Sequence, residues 1–392
     1  MNLIRPPTIS TSKKGTFARR TIEERKHKLI ADIVSTNSLV ESNINKLNNL
    51  DQEISTGVIG DPEQYFFSCN LVPNEWKAWE TAITPLIGKR WVELPWYQAE
   101  SYFYLRVLSA TGYYDKSNEN FSLDPFSNLK NQELLGSGIK IASLFQDKSL
   151  GDHVLFSLWG NRLDLSNYEI ERGNIKNVVQ GKNELIINDI ELSQRKLNQA
   201  LSVHIVTDNS GVELVCDLAL SFYLLSNNCC QITLHVKNAP FFVSDVTMAD
   251  VFSTLTALNL QKDYARVIAS GLIEAINNNR LRLKEHWFWN GPQHYPDLPG
   301  DIIGELVQAD LVIFKGDVNY RRLLSDRNWP EFIETKKIID YLPFEVLILR
   351  TLKSELIVGL TKGKIKELNK VDKDWKINGK RGIVQFIESY ES

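Results

Sequence analysis

From about residue 151 onward, short apolar runs alternate with longer segments whose apolar positions recur at helical spacing. The short runs predict strands at residues 154–159, 201–206, 231–236, 311–314 and 345–349. The longer segments predict helices at residues 212–225 and 251–279. Because this alternation is typical of βαβ units, we predict an α/β fold with three α/β/α layers and a doubly wound, mostly parallel sheet.

The first third of the chain has a different pattern, which is helical from residue 21 to about residue 132. Residues 21–24 (TIEE) have the form of a capping box that starts a helix. Pro95 is placed to open a helix with an aromatic core stripe, in which Glu100 and Arg106 predict a structural polar contact rather than catalytic groups. We therefore predict a flexible, solvated leader (1–20), a helical domain (21–150) and an α/β catalytic domain (151–392).

Composition narrows the classes of protein. The 392 residues are 43% hydrophobic and 24% charged, enough for a sizeable core, and the net charge of −3 argues against nucleic acid as a partner. No apolar stretch approaches the roughly 20 residues that a membrane helix needs. The four cysteines lack C-x-x-C spacing and the N-terminus lacks the apolar core of a secretory signal. We expect a cytoplasmic protein without nucleic-acid or membrane partners, and the sequence does not indicate an oligomeric state.

Polar residues follow the predicted strands where each strand ends. Asp208 and Asn209 follow one strand, Asp245 follows the next, and Asp317 and Lys353 lie just beyond two later strands. Since the carboxyl ends of parallel strands open onto one edge of a sheet, we expect these side chains to converge. Oxygen ligands suit Mg²⁺ or Mn²⁺, and the N–H groups that open the next helix favour an anion such as phosphate.

Simpler interpretations exist for individual residues. An Asp after a strand is most often a helix N-cap, but several such acids gathered without a cation would repel one another. Glu213 lies within one turn of Asn209 and could face the site, whereas Asp217 is more often an ordinary polar-face residue. Asn161 and Asp164 follow the predicted strand 154–159 and either line the pocket or only fix a turn. The histidines show no metal-ligand spacing, so no zinc site is predicted.

Several segments resemble a known family, the damage-control phosphatases, and specifically subfamily III with its Arg-Thr-x-Lys motif. They are SLWGNRLDLS (157–166), TDNSGVELVCDL (207–218), KNAPFFVSD (237–245), FKGDVNYRRL (314–323) with DRNW (326–329), and RTLK (350–353). Members of this subfamily are metal-dependent sugar-phosphate phosphatases, and some are described as protein-glutamate O-methyltransferases. The likeness extends from about residue 91 to residue 353.

The resemblance implies a set of site residues. The divalent metal, Mn²⁺ or Mg²⁺ with Ni²⁺ and Co²⁺ as further candidates, would be held by Asp208, Asn209 and Asp245. The implied substrate contacts are Asp317, Asn319, Tyr320, Arg321 and Lys353. Glu213 matches a position linked with the proposed S-adenosylmethionine site. The chain departs from the family at His27, where relatives usually have proline, and in the loop 288–296. These departures bear on substrate preference more than on chemistry.

The function expected from this resemblance is hydrolysis of phosphate monoesters of small sugars, such as fructose 1-phosphate or fructose 6-phosphate, in a damage-control role. The metal would polarise the phosphoryl group and Arg321 and Lys353 would bind its other oxygens, while Asp317, Asn319 and Tyr320 would hold the sugar. The nucleophile is either water on the metal or Asp208 itself.

Two alternatives come from other classes. An S-adenosylmethionine-dependent protein carboxyl (glutamate) O-methyltransferase ranks lower, because the chain has no G-x-G-x-x-G loop. A non-catalytic sugar-phosphate-binding protein would not need three metal-binding side chains.

Overall fold

The computed structural model describes residues 4–66, 71–163, 184–227 and 231–389. These residues form a seven-stranded sheet with the order β1-β7-β6-β5-β2-β3-β4. Neighbouring strands are parallel except for the antiparallel pair β6 and β7, which confirms the mostly parallel α/β fold. The strands are β1 (Leu185–Asn188), β2 (Ser202–Val206), β3 (Gln231–Lys237), β4 (Leu281–His286), β5 (Leu311–Lys315), β6 (Val346–Thr351) and β7 (Gly382–Ile387).

The order of the strands creates a switch point at β2. After β2 the chain adds β3 and β4 on one side, and it then returns to place β5 against the other side of β2. Connections on the two sides of such a point run in opposite directions, which leaves a crevice at the carboxyl ends of the two strands. Asp208 follows β2 and Asp317 follows β5, so both residues lie at this crevice.

Helices cover both faces of the sheet. Val203 and Ile205 point to a core shared with the helices before and after β2, whereas Val206 and Val312 point to a second core on the opposite face. The helices in the sheet region are α9 (Leu150–Leu163), α10 (Ile190–Gln199), α11 (Val212–Ser226), α12 (Met248–Asn259), α13 (Tyr264–Asn277), α14 (Gly300–Leu306), α15 (Gly316–Leu323), α16 (Thr335–Ile338) and α17 (Lys362–Val371).

The N-terminal part is helical, as expected, and has a third core of its own. Its helices are α1 (Phe17–Arg20), α2 (Lys26–Thr36), α3 (Glu41–Thr56), α4 (Glu63–Phe66), α5 (Pro73–Ile83), α6 (Trp96–Thr111), α7 (Ser127–Glu133) and α8 (Ile139–Ala142). Pro95 does open α6, where Arg106 forms a bidentate pair with Glu53 (3.1 and 2.9 Å) and Glu100 pairs with Lys26 (3.0 Å). Both contacts support the structural interpretation of Glu100 and Arg106.

The start of the chain differs from two expectations. Thr16 caps α1, and a π-helical turn (Thr21–Arg25) joins α1 to α2, so the helix begins before the predicted capping box. Residues 8–11 are not a solvated leader, because Thr8 pairs with Arg327 and Ser10 pairs with Pro95 in isolated bridges. Ile9 lies in the core, where its N–H donates to the carbonyl of Asp326 (2.8 Å) and its carbonyl accepts the N–H of Trp96 (2.8 Å).

Two further elements differ from their predictions. Residues 154–159 were predicted as a strand but lie within α9. The prediction was wrong because this helix is buried on nearly all sides, so its apolar residues show no helical period. The helix predicted at 251–279 is two helices, α12 and α13, and Asp263 caps the second by accepting the N–H of Ala265 (3.0 Å). The strands β1, β4 and β7 were not predicted.

No helix among the described ranges combines the length and the apolar character needed to cross a bilayer. Cys216 is a buried free thiol, whereas Cys69, Cys229 and Cys230 lie outside the described residues.

Candidate active site

A cavity of about 190 Å³ lies at the switch point, the place where α/β sheets bind ligands. The ends of β2, β5 and β6 form its floor, and the N-terminal helical part supplies one wall. Its polar lining consists of Arg25, Glu100, Asp208, Asn209, Glu213, Ser244, Asp245, Asp317, Thr351 and Lys353. The structure therefore brings together the acids and the lysine that the sequence placed at separate strand ends.

The three predicted metal ligands lie on two loops that are tied to each other. Asn209 and Asp245 form an isolated antiparallel bridge, and the N–H of Val246 donates to the carbonyl of Asp208 (3.1 Å). The Asn209 Nδ2 donates to Asp208 Oδ2 (2.8 Å), and Ser244 Oγ donates to Asn209 Oδ1 (2.6 Å). These bonds fix Asp208, Asn209 and Asp245 at one corner of the cavity.

The loop before Asp245 is strained. Phe242 and Val243 both have positive φ angles, of 50° and 73°, a conformation that is costly for such side chains. The loop is held by Asn290, whose Oδ1 accepts the N–H of Asn238 (2.9 Å) and whose Nδ2 donates to the carbonyl of Ala239 (2.9 Å). The loop 288–296 thus supports the loop that carries Asp245.

The electrostatics of this corner favour a bound cation. Burial, with the charges of Glu213 and Asp245 next in size, raises the pKa of Asp208 well above its ordinary value. Burial also raises the pKa of Asp245 to about 7, although the charge of Lys237 opposes this. Asp245 Oδ2 is buried and has no hydrogen-bond partner among the described residues. Unpaired buried carboxylate oxygen of this kind is what a hard divalent cation would satisfy, so the residues fit the metal that the resemblance implies.

Gly316 allows β5 to end directly against Asp208. Its φ is +79°, and a Cβ at this position would lie 1.8 Å from Asp208 Oδ2. Any side chain here would push the carboxylate out of place, so glycine is required by both the backbone and the close approach.

A buried cation below the cavity had not been identified from the sequence. Lys315, at the end of β5, lies 3.1 Å from Glu213 and 2.9 Å from Asp217 through its Nζ. Asp217 also accepts a hydrogen bond from Ser157 Oγ (2.6 Å) and is fully buried, so it is not an ordinary polar-face residue. Glu213 also accepts from Asn209 Nδ2 (3.0 Å), which links this ion-pair network to the corner formed by Asp208, Asn209 and Asp245.

The predicted substrate residues on α15 do not all face the cavity. Asp317 lines it, and Arg350 donates to Asp317 Oδ1 from Nε (2.8 Å), as does Ser354 Oγ (3.0 Å). Burial opposes ionisation of Asp317, but the charge of Arg350 holds its pKa below the ordinary value. Arg350 is fully buried in β6 and also donates from Nη1 to the carbonyl of Leu356 (2.6 Å), so it ties β6 to the loop that follows it.

Asn319 and Tyr320 are placed behind the cavity. Asn319 Nδ2 donates to the carbonyls of Thr207 (3.1 Å) and Lys315 (2.8 Å), so it joins the exits of β2 and β5. The hydroxyl of Tyr320 accepts the N–H of Val358 (3.1 Å). Neither side chain lines the cavity, and their contacts are those of residues that position the site.

Arg321 is also outside the cavity lining, and Arg25 lies there instead. Arg321 pairs with Asp326 (2.6 Å), and its guanidinium lies 3.5 Å from the centre of the Trp96 ring. Trp96 itself lines the cavity and so separates Arg321 from it. Arg25, on the π-helical turn, lines the cavity together with Lys353, and the sequence offered no signal for it beyond a basic residue near the start of a helix.

The remaining predicted residues are placed as follows. Asn161 lies in α9, at its C-terminal end and not at a strand exit, and Asp164 lies outside the described residues. His27 is in the helical part, where its Nδ1 lies 2.6 Å from Asp51 Oδ1. His204 and His235, which have no metal-ligand spacing in sequence, lie 3.0 Å apart through their ring nitrogens and are not part of the cavity lining.

Comparison with known proteins identifies the family. Residues 10–368 match the family model described as the damage-control phosphatase ARMT1-like domain. The mouse and human proteins named damage-control phosphatase ARMT1 are 28% and 29% identical, and each alignment covers 97% of this chain and 98% of the relative. A DUF89 family protein from Pyrococcus horikoshii matches with a TM-score of 0.53 at 14% identity, covering 94% of this chain and 96% of the other. The last likeness bears on the fold alone.

Proposed function

Because the chain belongs to the ARMT1-like damage-control phosphatase family, we propose that it is a metal-dependent phosphatase that hydrolyses phosphate monoesters of small sugars. The observation that carries this proposal is the corner formed by Asp208, Asn209 and Asp245, where a buried carboxylate oxygen has no partner among the described residues. The corner lies in the same cavity as Lys353, so it combines metal ligands with a cation for phosphate.

Asp208, Asn209 and Asp245 would hold Mn²⁺ or Mg²⁺, and Ni²⁺ or Co²⁺ could use the same ligands. When bound, such a cation neutralises charge on the phosphoryl oxygens during transfer. Ser244 donates to Asn209 Oδ1 and so sets the orientation of the Asn209 amide. Glu213 accepts a hydrogen bond from Asn209 and pairs with Lys315 at the end of β5, so it holds this corner in place against β5.

Arg25 and Lys353 would bind the phosphoryl oxygens that the metal does not reach. Both line the cavity, and Lys353 is an exposed residue whose charge acts on the Asp208 carboxylate. Arg25 would take the role that the resemblance implied for Arg321, whose guanidinium instead lies over the Trp96 ring. A guanidinium and an ammonium on one phosphoryl group give the charge-assisted hydrogen bonds that phosphate binding requires.

Asp317 would hold the sugar through its hydroxyl groups. The Arg350 and Ser354 bonds to Asp317 go to Oδ1, which leaves Oδ2 as an acceptor. Because its pKa is held low by Arg350, Asp317 stays ionised and accepts hydrogen bonds at neutral pH. Glu100, paired with Lys26, also lines the cavity.

Two routes of hydrolysis are consistent with this arrangement. In the first, water attacks phosphorus and the sugar alcohol leaves with a proton. In the second, an Asp208 oxygen bonds to phosphorus as the ester P–O bond breaks, and water then hydrolyses the aspartyl phosphate. Rapid quench of a reaction with substrate labelled in its phosphoryl group distinguishes the two routes, because only the second transfers the label to Asp208.

The experiment that tests the function measures phosphate release from fructose 1-phosphate and fructose 6-phosphate, with Mn²⁺ or with chelator, alongside methyl transfer from S-adenosylmethionine. We expect metal-dependent release that falls about a thousandfold in Asp245→Asn, since several kcal/mol of charge stabilisation is lost. Asp340→Asn changes an exposed carboxylate away from the cavity and is the matched control. Methyl transfer alone would overturn the proposal, and tight sugar-phosphate binding without release would favour a binding protein.

A further inference from the structure

Two buried histidines lie side by side on the face of the sheet opposite α11. His204 is on β2 and His235 is on β3, at positions that alternate with the residues of the α11 core. His204 Nδ1 and His235 Nε2 are 3.0 Å apart, and both side chains are almost fully buried, with 4% and 3% exposed. Without an ion, one of these two nitrogens carries a proton and donates it in a hydrogen bond to the other.

A carboxylate completes the group. Glu305, on α14, has an oxygen close to the two imidazoles, so that the three ligand atoms all lie within 4.8 Å of one another. Glu305 is paired with Lys284 (2.5 Å), but 46% of the Lys284 side chain is exposed, so the lysine can turn away into water. None of these residues lines the catalytic cavity.

We propose that His204, His235 and Glu305 form a second metal site, suited to Zn²⁺ and distinct from the oxygen-ligand corner of the cavity. Imidazole nitrogens favour Zn²⁺, whereas the carboxylate and amide oxygens in the cavity favour Mg²⁺ and Mn²⁺. Two nitrogen ligands at ordinary zinc distances in a tetrahedron are about 3.3 Å apart. The observed 3.0 Å separation therefore needs little change, and the Glu305 carboxylate would be the third ligand.

The environment prepares the histidines for this role. Burial lowers the pKa of His204 to about 4 and places that of His235 well below its ordinary value. Both rings are therefore neutral at pH 7 and each has one lone pair, and the ring that donates the 3.0 Å hydrogen bond presents its lone pair to a metal by moving its proton to its other nitrogen. The ring of Trp289 packs against His235 at 5.2 Å and excludes water from one side.

The site would stabilise the catalytic corner indirectly. The carbonyl of His235 accepts hydrogen bonds from the N–H (3.1 Å) and the Oγ1 (2.8 Å) of Thr207, the residue before Asp208. A zinc ion would join β2 and β3 to α14 just before the loops that carry Asp208 and Asp245 begin. Its role would be structural, since none of its ligands lines the cavity.

Zinc titration of the metal-stripped chain tests this proposal without reference to activity. The Asp208→Asn/Asp245→Asn double variant should still bind one Zn²⁺ and should give the intense visible absorption of tetrahedral Co²⁺ when Co²⁺ replaces it. Glu305→Gln, at a partly exposed position that tolerates change, should weaken zinc binding by more than about tenfold. Lys284→Gln should instead strengthen it severalfold, because the lysine competes for Glu305.

His153→Gln is the matched control, since His153 is equally buried but packs between Phe145 and Tyr223. It should leave zinc binding unchanged. Zinc binding that disappears in the double variant but survives Glu305→Gln and His235→Gln would overturn the proposal, as would a wild-type chain that binds no zinc. Either result leaves the phosphatase proposal standing, because the cavity metal is tested by separate ligands and by a different ion.

Discussion

Replacing Gly316 by alanine should displace Asp208 without unfolding the chain. The added Cβ would lie 1.8 Å from Asp208 Oδ2, short by about 1.6 Å of the 3.4 Å at which ordinary contact begins. The neighbour is a short side chain that is bonded to Asn209, so it must shift by a distance of this order. A displacement of about 1 Å at a reacting centre costs on the order of a hundredfold in rate.

The variant also loses stability because alanine is strained at this backbone conformation, and this effect must be separated from the displacement of Asp208. Alanine at a φ of +79° costs about 1–2 kcal/mol of stability. Gly88 has the same φ of +79° and is exposed, and a methyl group added there would meet no neighbouring side chain or backbone within 4 Å. Gly88→Ala is therefore matched to Gly316→Ala in strain and lacks the contact with Asp208.

The assay compares kcat/KM for metal-dependent phosphate release with the free energy of unfolding in urea. We expect Gly88→Ala to lose about 1–2 kcal/mol of stability, the cost of left-handed alanine, and Gly316→Ala to lose about 1–3 kcal/mol more because of the overlap with Asp208. Only Gly316→Ala should lose about a hundredfold or more in kcat/KM. If Gly316→Ala keeps wild-type activity, or if Gly88→Ala loses as much, the position of Asp208 does not control the reaction.

Three further predictions concern other parts of the molecule. Lys315→Met leaves the buried Glu213 and Asp217 without their cation, so the free energy of unfolding should fall by about 3–5 kcal/mol; an unchanged urea midpoint would contradict this. Burial raises the pKa of Glu75 to about 7, so its contribution to stability is present below its ordinary pKa and is lost as the pH rises through 7. Glu75→Gln should therefore be more stable than wild type by about 3 kcal/mol at pH 8, but not at pH 4, and an equal difference at both pH values would show that the cause is not ionisation. Arg25→Ala should raise KM for a sugar phosphate by roughly tenfold to a hundredfold, from the loss of one charge-assisted hydrogen bond, and a KM that stays the same would remove Arg25 from the phosphate site.

Much of the sheet could be predicted because its central strands carry a local signal. The strands β2, β3, β5 and β6 are short apolar runs that end in polar residues, as expected for strands buried on both faces. The apolar run in α9 has the same composition but belongs to a buried helix, and periodicity alone does not separate the two. In β4 charged residues alternate with leucines and the strand lies at the sheet edge, so its apolar signal is weak.

The candidate site was predictable where a strand end determines the position of a side chain, and not where a contact between distant segments does. Asp208, Asp245 and Asp317 follow strands, and all three reach the cavity. Arg321 follows Asp317 by one helical turn, yet Trp96 from the helical part covers its guanidinium. Arg25 reaches the same cavity from a π-helical turn near the start of the chain, which no local pattern indicates.

The most direct measurement of the metal-binding corner is a titration of the metal-stripped chain with Mn²⁺, followed by electron paramagnetic resonance of the free ion. We expect one Mn²⁺ site in the wild-type chain, weakened by about a hundredfold or more in Asp245→Asn because a charged ligand is lost, and unchanged in His235→Gln. Equal Mn²⁺ affinity in wild type and Asp245→Asn would contradict a cation held by Asp208, Asn209 and Asp245.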